Sequence, residues 1–166
     1  MLGHFKIGMK RKYKKDNSPV TEADLKINSL LVKKVTKLFP KHSVLGEEES
    51  NTVKNSEYVW VCDPIDGTIP YSLGIPISTF SLALVKNGEV ILGVVYDPFC
   101  NRLFYAEKGK GSYLNKKTIH VSNESKFQRS NIEYEMWSRS KYDILPLIKE
   151  LKKQKVSFLQ LCSFVN

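Results

Sequence analysis

Two carboxylates three residues apart, Asp63 and Asp66, lie in the run Asp63-Pro64-Ile65-Asp66-Gly67-Thr68, directly after the apolar segment Tyr58-Val59-Trp60-Val61-Cys62. At the end of a buried strand such a pair can converge on one divalent cation, and the Ile65 carbonyl between them adds a further hard oxygen. The run itself contains no His and no Cys. An all-oxygen donor set favours Mg²⁺ or Mn²⁺ over Zn²⁺. A helix opening near Gly67 or Thr68 would turn free backbone N–H groups toward a bound phosphate, and a glycine there lets the anion approach the backbone closely.

Taken alone, Asp-Pro-x-Asp-Gly is also the composition of an ordinary polar turn. Its neighbourhood favours the metal reading. Gly46-Glu47-Glu48 follows Val44-Leu45 upstream and offers a third carboxylate, and from residue 47 to residue 66 six acids (Glu47, Glu48, Glu49, Glu57, Asp63, Asp66) stand against the single Lys54. In a chain of net charge +9 this is a local acidic island. Carboxylates so close in sequence repel one another unless they are solvated or share a cation.

Several elements must carry these residues. Asp16-Asn17-Ser18-Pro19 is a turn cluster, and Thr21-Glu22-Ala23-Asp24 after it has the spacing of a helix capping box, with Val20 and Leu25 placed to form a hydrophobic staple. Ile27, Leu30, Leu31, Val35 and Leu38 recur at helical spacing and Pro40 closes the segment, which predicts a helix over 21–38. Residues 58–62 predict a buried strand that stops at Asp63-Pro64. Runs over 77–86 and 89–96 flank Asn87-Gly88 and predict a hairpin. Further strands are expected over 102–106 and 118–122, with Gly109-Lys110-Gly111 as the turn between them, and an extended arm over 3–13. Residues 142–155 read as a helix with Pro146 in its first turn, and 156–161 as a strand. Antiparallel hairpins flanked by helices make an α+β layered fold.

Composition limits the classes. With 166 residues and 42% hydrophobic content the chain is large enough to bury one core without staples. No apolar run approaches the roughly 18 to 20 residues that span a bilayer, which speaks against a membrane protein. Cys62, Cys100 and Cys162 are odd in number and far apart, so they are expected to be reduced thiols of a cytoplasmic protein. The lysines gather in residues 6–15 and 126–155 without an interleaved aromatic motif, which favours a solvated surface over a nucleic-acid face.

The residues above match a known family. The chain resembles the lithium-sensitive, Mg²⁺-dependent phosphomonoesterases of the inositol monophosphatase superfamily. The match runs through Ser18-Pro19-Val20-Thr21-Glu22-Ala23-Asp24, Phe39-Pro40, Gly46-Glu47-Glu48, residues 60–68 (Trp-Val-Cys-Asp-Pro-Ile-Asp-Gly-Thr), Gly74-Ile75-Pro76 and residues 93–98 (Gly-Val-Val-Tyr-Asp-Pro). It continues through residues 106–115, so that 18–122 carry the resemblance within 1–166, taken as one partial domain. The implied fold is the layered sugar-phosphatase-like one, an antiparallel sheet flanked by helices.

By this resemblance Glu47, Asp63 and the Ile65 carbonyl would hold a first Mg²⁺ or Mn²⁺. Asp63 would bridge to a second ion also bound by Asp66. Glu47 would assist a third, looser ion, with Glu48 behind it. Thr68 and Asp24 would orient and deprotonate the attacking water, and with Glu47 they are the implied catalytic residues. Asp24 could serve this role and the capping box together only through different oxygens. Gly67 and Thr68 would offer backbone N–H groups to the phosphate. The implied substrate is a small phosphorylated polyol or sugar: inositol monophosphate first, with fructose 1,6-bisphosphate, histidinol phosphate and 3′-phosphoadenosine 5′-phosphate as alternatives. The full-length parent would be a homodimer.

Family members carry a further metal-binding Asp in a Trp-Asp-x-Ala-Ala type motif well downstream, and this chain reaches Asn166 without one. The first family helix is also expected to be shortened or missing before Met1. The expectation is the N-terminal half of the fold, with an incomplete second ion site and weak catalysis when tested alone. An inert, interaction-only half-domain is the alternative of another class, and an RNA-binding protein using the lysine face is a third.

Overall fold

The structure, a computed structural model, describes residues 1–126, 131–133, 143, 145–154 and 157–159. Two compact units divide the chain, Met1–His120 and Val121–Asn166.

The first unit is built on a seven-stranded sheet of β3 (Ser43–Gly46), β4 (Tyr58–Asp66), β5 (Thr79–Lys86), β6 (Glu89–Asp97), β7 (Arg102–Glu107), β8 (Gly111–Leu114) and β9 (Lys117–Ile119), in that spatial order. Before it come a short hairpin of β1 (Arg11–Tyr13) and β2 (Pro19–Thr21), then α1 (Glu22–Leu38); α2 (Thr68–Leu73) follows β4. The class is α+β, as expected. The sheet, however, is mixed: β3 pairs with β4 in parallel, and only the remaining neighbours are antiparallel. A parallel partner needs a crossover rather than a tight turn. The stretch between residues 46 and 58 supplies it, and its polar composition hides the strand that precedes it.

α1 begins where the capping box places it, with Thr21 as N-cap and Asp24 closing the box. The staple is not formed, because Leu25 is 46% exposed while Val20 is buried within β2. The buried face of α1 is also rotated from the expected one. Ala23, Asp24, Asn28 and Val35 are buried, whereas Leu30 and Leu38 are more than half exposed. At its far end α1 is held to β4 by aromatic rings. His42 stacks on Phe39 and on Tyr58 with centroids 5.0 and 4.5 Å apart, and the Trp60 indole N–H donates to His42 Nδ1 at 3.1 Å.

β4 does not stop at Asp63-Pro64. It continues to Asp66, with Asp63 opposite Ser81 and Asp66 opposite Thr79, so β4 carries one extra residue between these pairs. A bulge is where a strand tolerates proline, whose missing N–H would otherwise leave a gap in the ladder. Asn87 and Gly88 form the expected hairpin turn, both at positive φ. A second turn of this kind, Asn115-Lys116, also at positive φ, joins β8 to β9. It escapes a reading that looks for glycine, because Lys116 adopts a backbone region few side-chain-bearing residues enter. The arm over 3–13 holds a 3-10 turn, Leu2–His4, and only its last residues are extended.

The core below the bulge is Ala23, Ile65 and Tyr71, with Met1, Phe5, Met9, Ile27 and Phe99 against it. In the second unit β10 (Asn131–Glu133) pairs in parallel with β11 (Ser157–Leu159), and α3 (Leu145–Lys153) has Pro146 in its first turn. The expected helix ends Tyr142 and Lys155, the strand ends Val156 and Leu161, and Cys162 lie outside the described residues. Among the described residues no helix is long and apolar enough to cross a membrane.

Ile65 is fully buried under the bulge. Ile65→Ala should therefore lower the unfolding free energy by about 2–5 kcal/mol in urea titration. A loss below about 1 kcal/mol would mean the bulge is not anchored by this side chain.

Candidate functional site

Parallel pairing sets Gly46 opposite Cys62, so the next residue of each strand, Glu47 and Asp63, emerges at the same end of the sheet. The Glu47 N–H donates to the Cys62 carbonyl at 3.0 Å and fixes the approach. Within the bulge, Asp63 Oδ1 accepts the Ile65 N–H at 3.0 Å, the usual way an Asp side chain stabilises a tight change of direction. Gly67 then turns the chain at φ +87°, and its carbonyl accepts the Ser78 hydroxyl at 2.7 Å. Thr68 is the first residue of α2.

Thr68 Oγ1 lies 3.1 Å from the Ile65 carbonyl and 3.3 Å from Asp24 Oδ1, two acceptors for one hydroxyl proton. The other oxygen of Asp24, Oδ2, accepts the Thr21 N–H at 2.9 Å and the Thr21 hydroxyl. Asp24 thus closes the capping box with one oxygen and meets Thr68 with the other.

The electrostatics follow from burial and crowding. Burial pushes the Asp63 carboxyl up to about 7, helped by the charges of Glu47 and Asp66 and by a hydrogen bond with Glu47. Burial also raises the carboxyls of Asp24 and Glu48, against the hydrogen bonds they accept. Lys14, at the tip of the β1–β2 hairpin, donates to Glu47 Oε1 at 2.7 Å and Glu48 Oε1 at 2.9 Å. Desolvation opposes its charge, yet these two bonds hold its pKa above the ordinary lysine value.

The expected residues fall into two groups, Glu47 with Asp63 and Asp66, and Asp24 with Thr68. Asp66 is exposed at the rim. Glu49 and Glu57 also face solvent and serve through their carbonyls, which accept from Asn28 and Asn87. Among the described residues no three His, Cys, Asp or Glu side chains converge closely enough to enclose an ion. The donors nevertheless suit a hard divalent cation by type, since all are oxygens and their mutual repulsion lacks a full counter-charge. An apolar groove on the sheet, about 510 Å³, includes Val61, Ala83, Val95 and Phe104 and reaches the acidic group through Asp63. Three residues of the site escape sequence reasoning: Lys14, Asn28 and Ser78. Lys14 is one of many lysines and Ser78 sits in an ordinary polar loop. Only Asn28 had a signal, its position one helical turn beyond Asp24.

Asp63 holds its proton more tightly in the folded chain than in the unfolded one, so between pH about 4 and about 7 stability falls as pH rises. Thermal melts without divalent ions should show this decline over pH about 4 to 7, and Asp63→Asn should make it shallower. Equal slopes for both proteins would refute the shift.

A profile of the inositol monophosphatase family matches residues 1–161. The fructose-1,6-bisphosphatase/inositol-1-monophosphatase of Aquifex aeolicus is 42% identical over 110 residues, which is 66% of this chain and 42% of the relative. The chain therefore spans well under two thirds of that protein. Among solved structures, the Thermotoga maritima IMPase superposes with a TM-score of 0.84 at 30% identity, over 96% of this chain and 61% of its own. An IMPase/NADP phosphatase solved with Mg²⁺ and phosphate gives a TM-score of 0.78 at 25% identity, over 92% and 57%.

Proposed function

The chain belongs to the inositol monophosphatase family, and from that membership we propose that it carries the cation-binding and water-activating part of a Mg²⁺- or Mn²⁺-dependent phosphate monoester hydrolase. The observation that carries the reading is the Thr68–Asp24 contact, made through the Asp24 oxygen that the capping box leaves free. A threonine hydroxyl aimed at a buried carboxylate has no need to be there for helix capping, since Thr21 already closes the box.

Glu47, Asp63 and the Ile65 carbonyl would hold one divalent ion, and Asp63 with Asp66 a second. Such ions supply positive charge that offsets the phosphate and lowers the pKa of an attacking water. The chain's own residues do the rest. Thr68 Oγ1 accepts a proton from water and passes its own to Asp24 Oδ1. Asp24 is suited to receive it, because burial raises its proton affinity while the two donations from Thr21 hold it in place. The N–H groups of Gly67 and Thr68 would hold the phosphate oxygens. The water oxygen bonds to phosphorus as the ester P–O bond breaks, and the leaving alkoxide takes a proton from solvent to become the alcohol. The substrate class is a small phosphorylated polyol or sugar. Inositol monophosphate and fructose 1,6-bisphosphate come first, supported by the Aquifex relative, whose name carries both activities.

A non-catalytic, interaction-only role is the second reading, favoured by one observation, that no three metal-binding side chains converge among the described residues. Phosphate release with Mg²⁺ from inositol monophosphate, fructose 1,6-bisphosphate, histidinol phosphate and 3′-phosphoadenosine 5′-phosphate separates the two. Weak turnover on at least one of these is expected from this chain, and none on all four would favour the second reading.

Thr68→Ala should lower kcat by on the order of 10²- to 10⁴-fold and leave KM little changed, because proton transfer matters in the transition state rather than in binding. Equal changes in both would confine Thr68 to phosphate binding. Mg²⁺ should raise the melting temperature by mass action, and Asp63→Asn should abolish the rise.

A further inference from the structure

Asn28 is completely buried, one turn after Asp24, on the face that α1 shares with Asp24 and Val35 rather than on the stripe that hydrophobic periodicity marks. Both ends of its amide are used. Nδ2 donates to the Glu49 carbonyl at 2.8 Å, and Oδ1 accepts the Glu48 N–H at 3.3 Å. These bonds grip the backbone just after Glu47, while the Glu47 N–H is tied to Cys62 on the other side. The loop makes room for the amide. A Cβ on Gly46 would stand 2.3 Å from Asn28 Oδ1 and 2.3 Å from the Glu49 carbonyl, a separation no side chain can accept. The glycine of Gly46-Glu47-Glu48 is therefore required by the close approach of Asn28.

We propose that Asn28 is a positioning residue for the cation site: it holds the Glu47–Glu49 backbone so that the Glu47 carboxylate faces Asp63. This rests on the reading of Glu47 as a metal ligand. One rigid helix then carries Asp24, which meets Thr68, and Asn28, which holds the Glu47 loop. Four residues of α-helix rise about 6 Å, so α1 sets the separation between the proton acceptor and the Glu47 carboxylate. A helix does this better than a loop, because its residues keep their spacing as the ligands respond to charge.

The test is Mg²⁺ titration by calorimetry on this chain, at a temperature where circular dichroism shows every variant folded. Asn28→Ala should weaken Mg²⁺ binding by about 10- to 100-fold, the range seen when the group that orients a ligand is removed. Gly46→Ala keeps the amide but disrupts its contact and should weaken binding in the same direction. Asn51→Ala is the control. Its amide also ties this stretch to α1, through Thr36 Oγ1 at 3.1 Å, but away from Glu47. It should lower the melting temperature while changing Mg²⁺ affinity by less than about twofold. If Asn28→Ala melts earlier yet binds Mg²⁺ like the wild type, the amide serves stability alone and the proposal fails, with the metal reading intact. Failure of both Asn28→Ala and Gly46→Ala to fold overturns it equally. If the wild type takes up no Mg²⁺, the metal reading and this proposal fall together.

Discussion

A buried carboxylate is the constraint on which the first unit depends. Taking a charged carboxyl out of water costs several kcal/mol unless its oxygens are well bonded. Asp24 meets that demand with two oxygens turned in different directions. Oδ2 receives the N–H and hydroxyl of Thr21 and so starts α1. Oδ1 receives Thr68 and so fixes the start of α2. β2, α1, the β4 bulge and α2 are thereby joined at one side chain, and the small core of Ala23, Ile65 and Tyr71 packs around it.

The second organising force is repulsion. Parallel pairing of β3 with β4 brings Glu47 and Asp63 to one sheet end, where burial, and then the like charges around it, raise the proton affinity of Asp63. Lys14 answers part of this by reaching across from the hairpin tip to both Glu47 and Glu48. An ammonium cannot sit among all the oxygens at once, so the acidic group keeps an unmet demand for positive charge. That unmet demand is the physical reason for proposing a cation site there.

The site also explains why the fold tolerates apparent flaws. A proline inside a strand, a polar amide in the core and a glycine at a strand end each weaken local structure when judged separately. Here Pro64 lies in a bulge beside Asp63, Asn28 holds the Glu47 loop, and Gly46 admits Asn28. The departures from regular structure cluster at the residues with chemical potential, as expected where backbone regularity is traded for the placement of functional groups.

Much of this was legible in the amino-acid sequence. The chemistry of the site was carried by local pattern: Asp63, Asp66 and Thr68 are within six residues of each other, and a capping box is defined by neighbours. The α1 span and the Asn87-Gly88 hairpin were equally local, since turn and cap preferences act over four residues. What the tertiary structure decided was long-range. The parallel β3–β4 pair, the continuation of β4 through Pro64, and the rotation of α1 that buries Asn28 rather than Leu30 depend on partners distant in sequence. Periodicity alone assigns an asparagine to the solvent side, because burying its amide is unfavourable without acceptors and donors to meet it. Only the folded loop, with the Glu49 carbonyl and the Glu48 N–H already turned toward α1, makes that burial favourable.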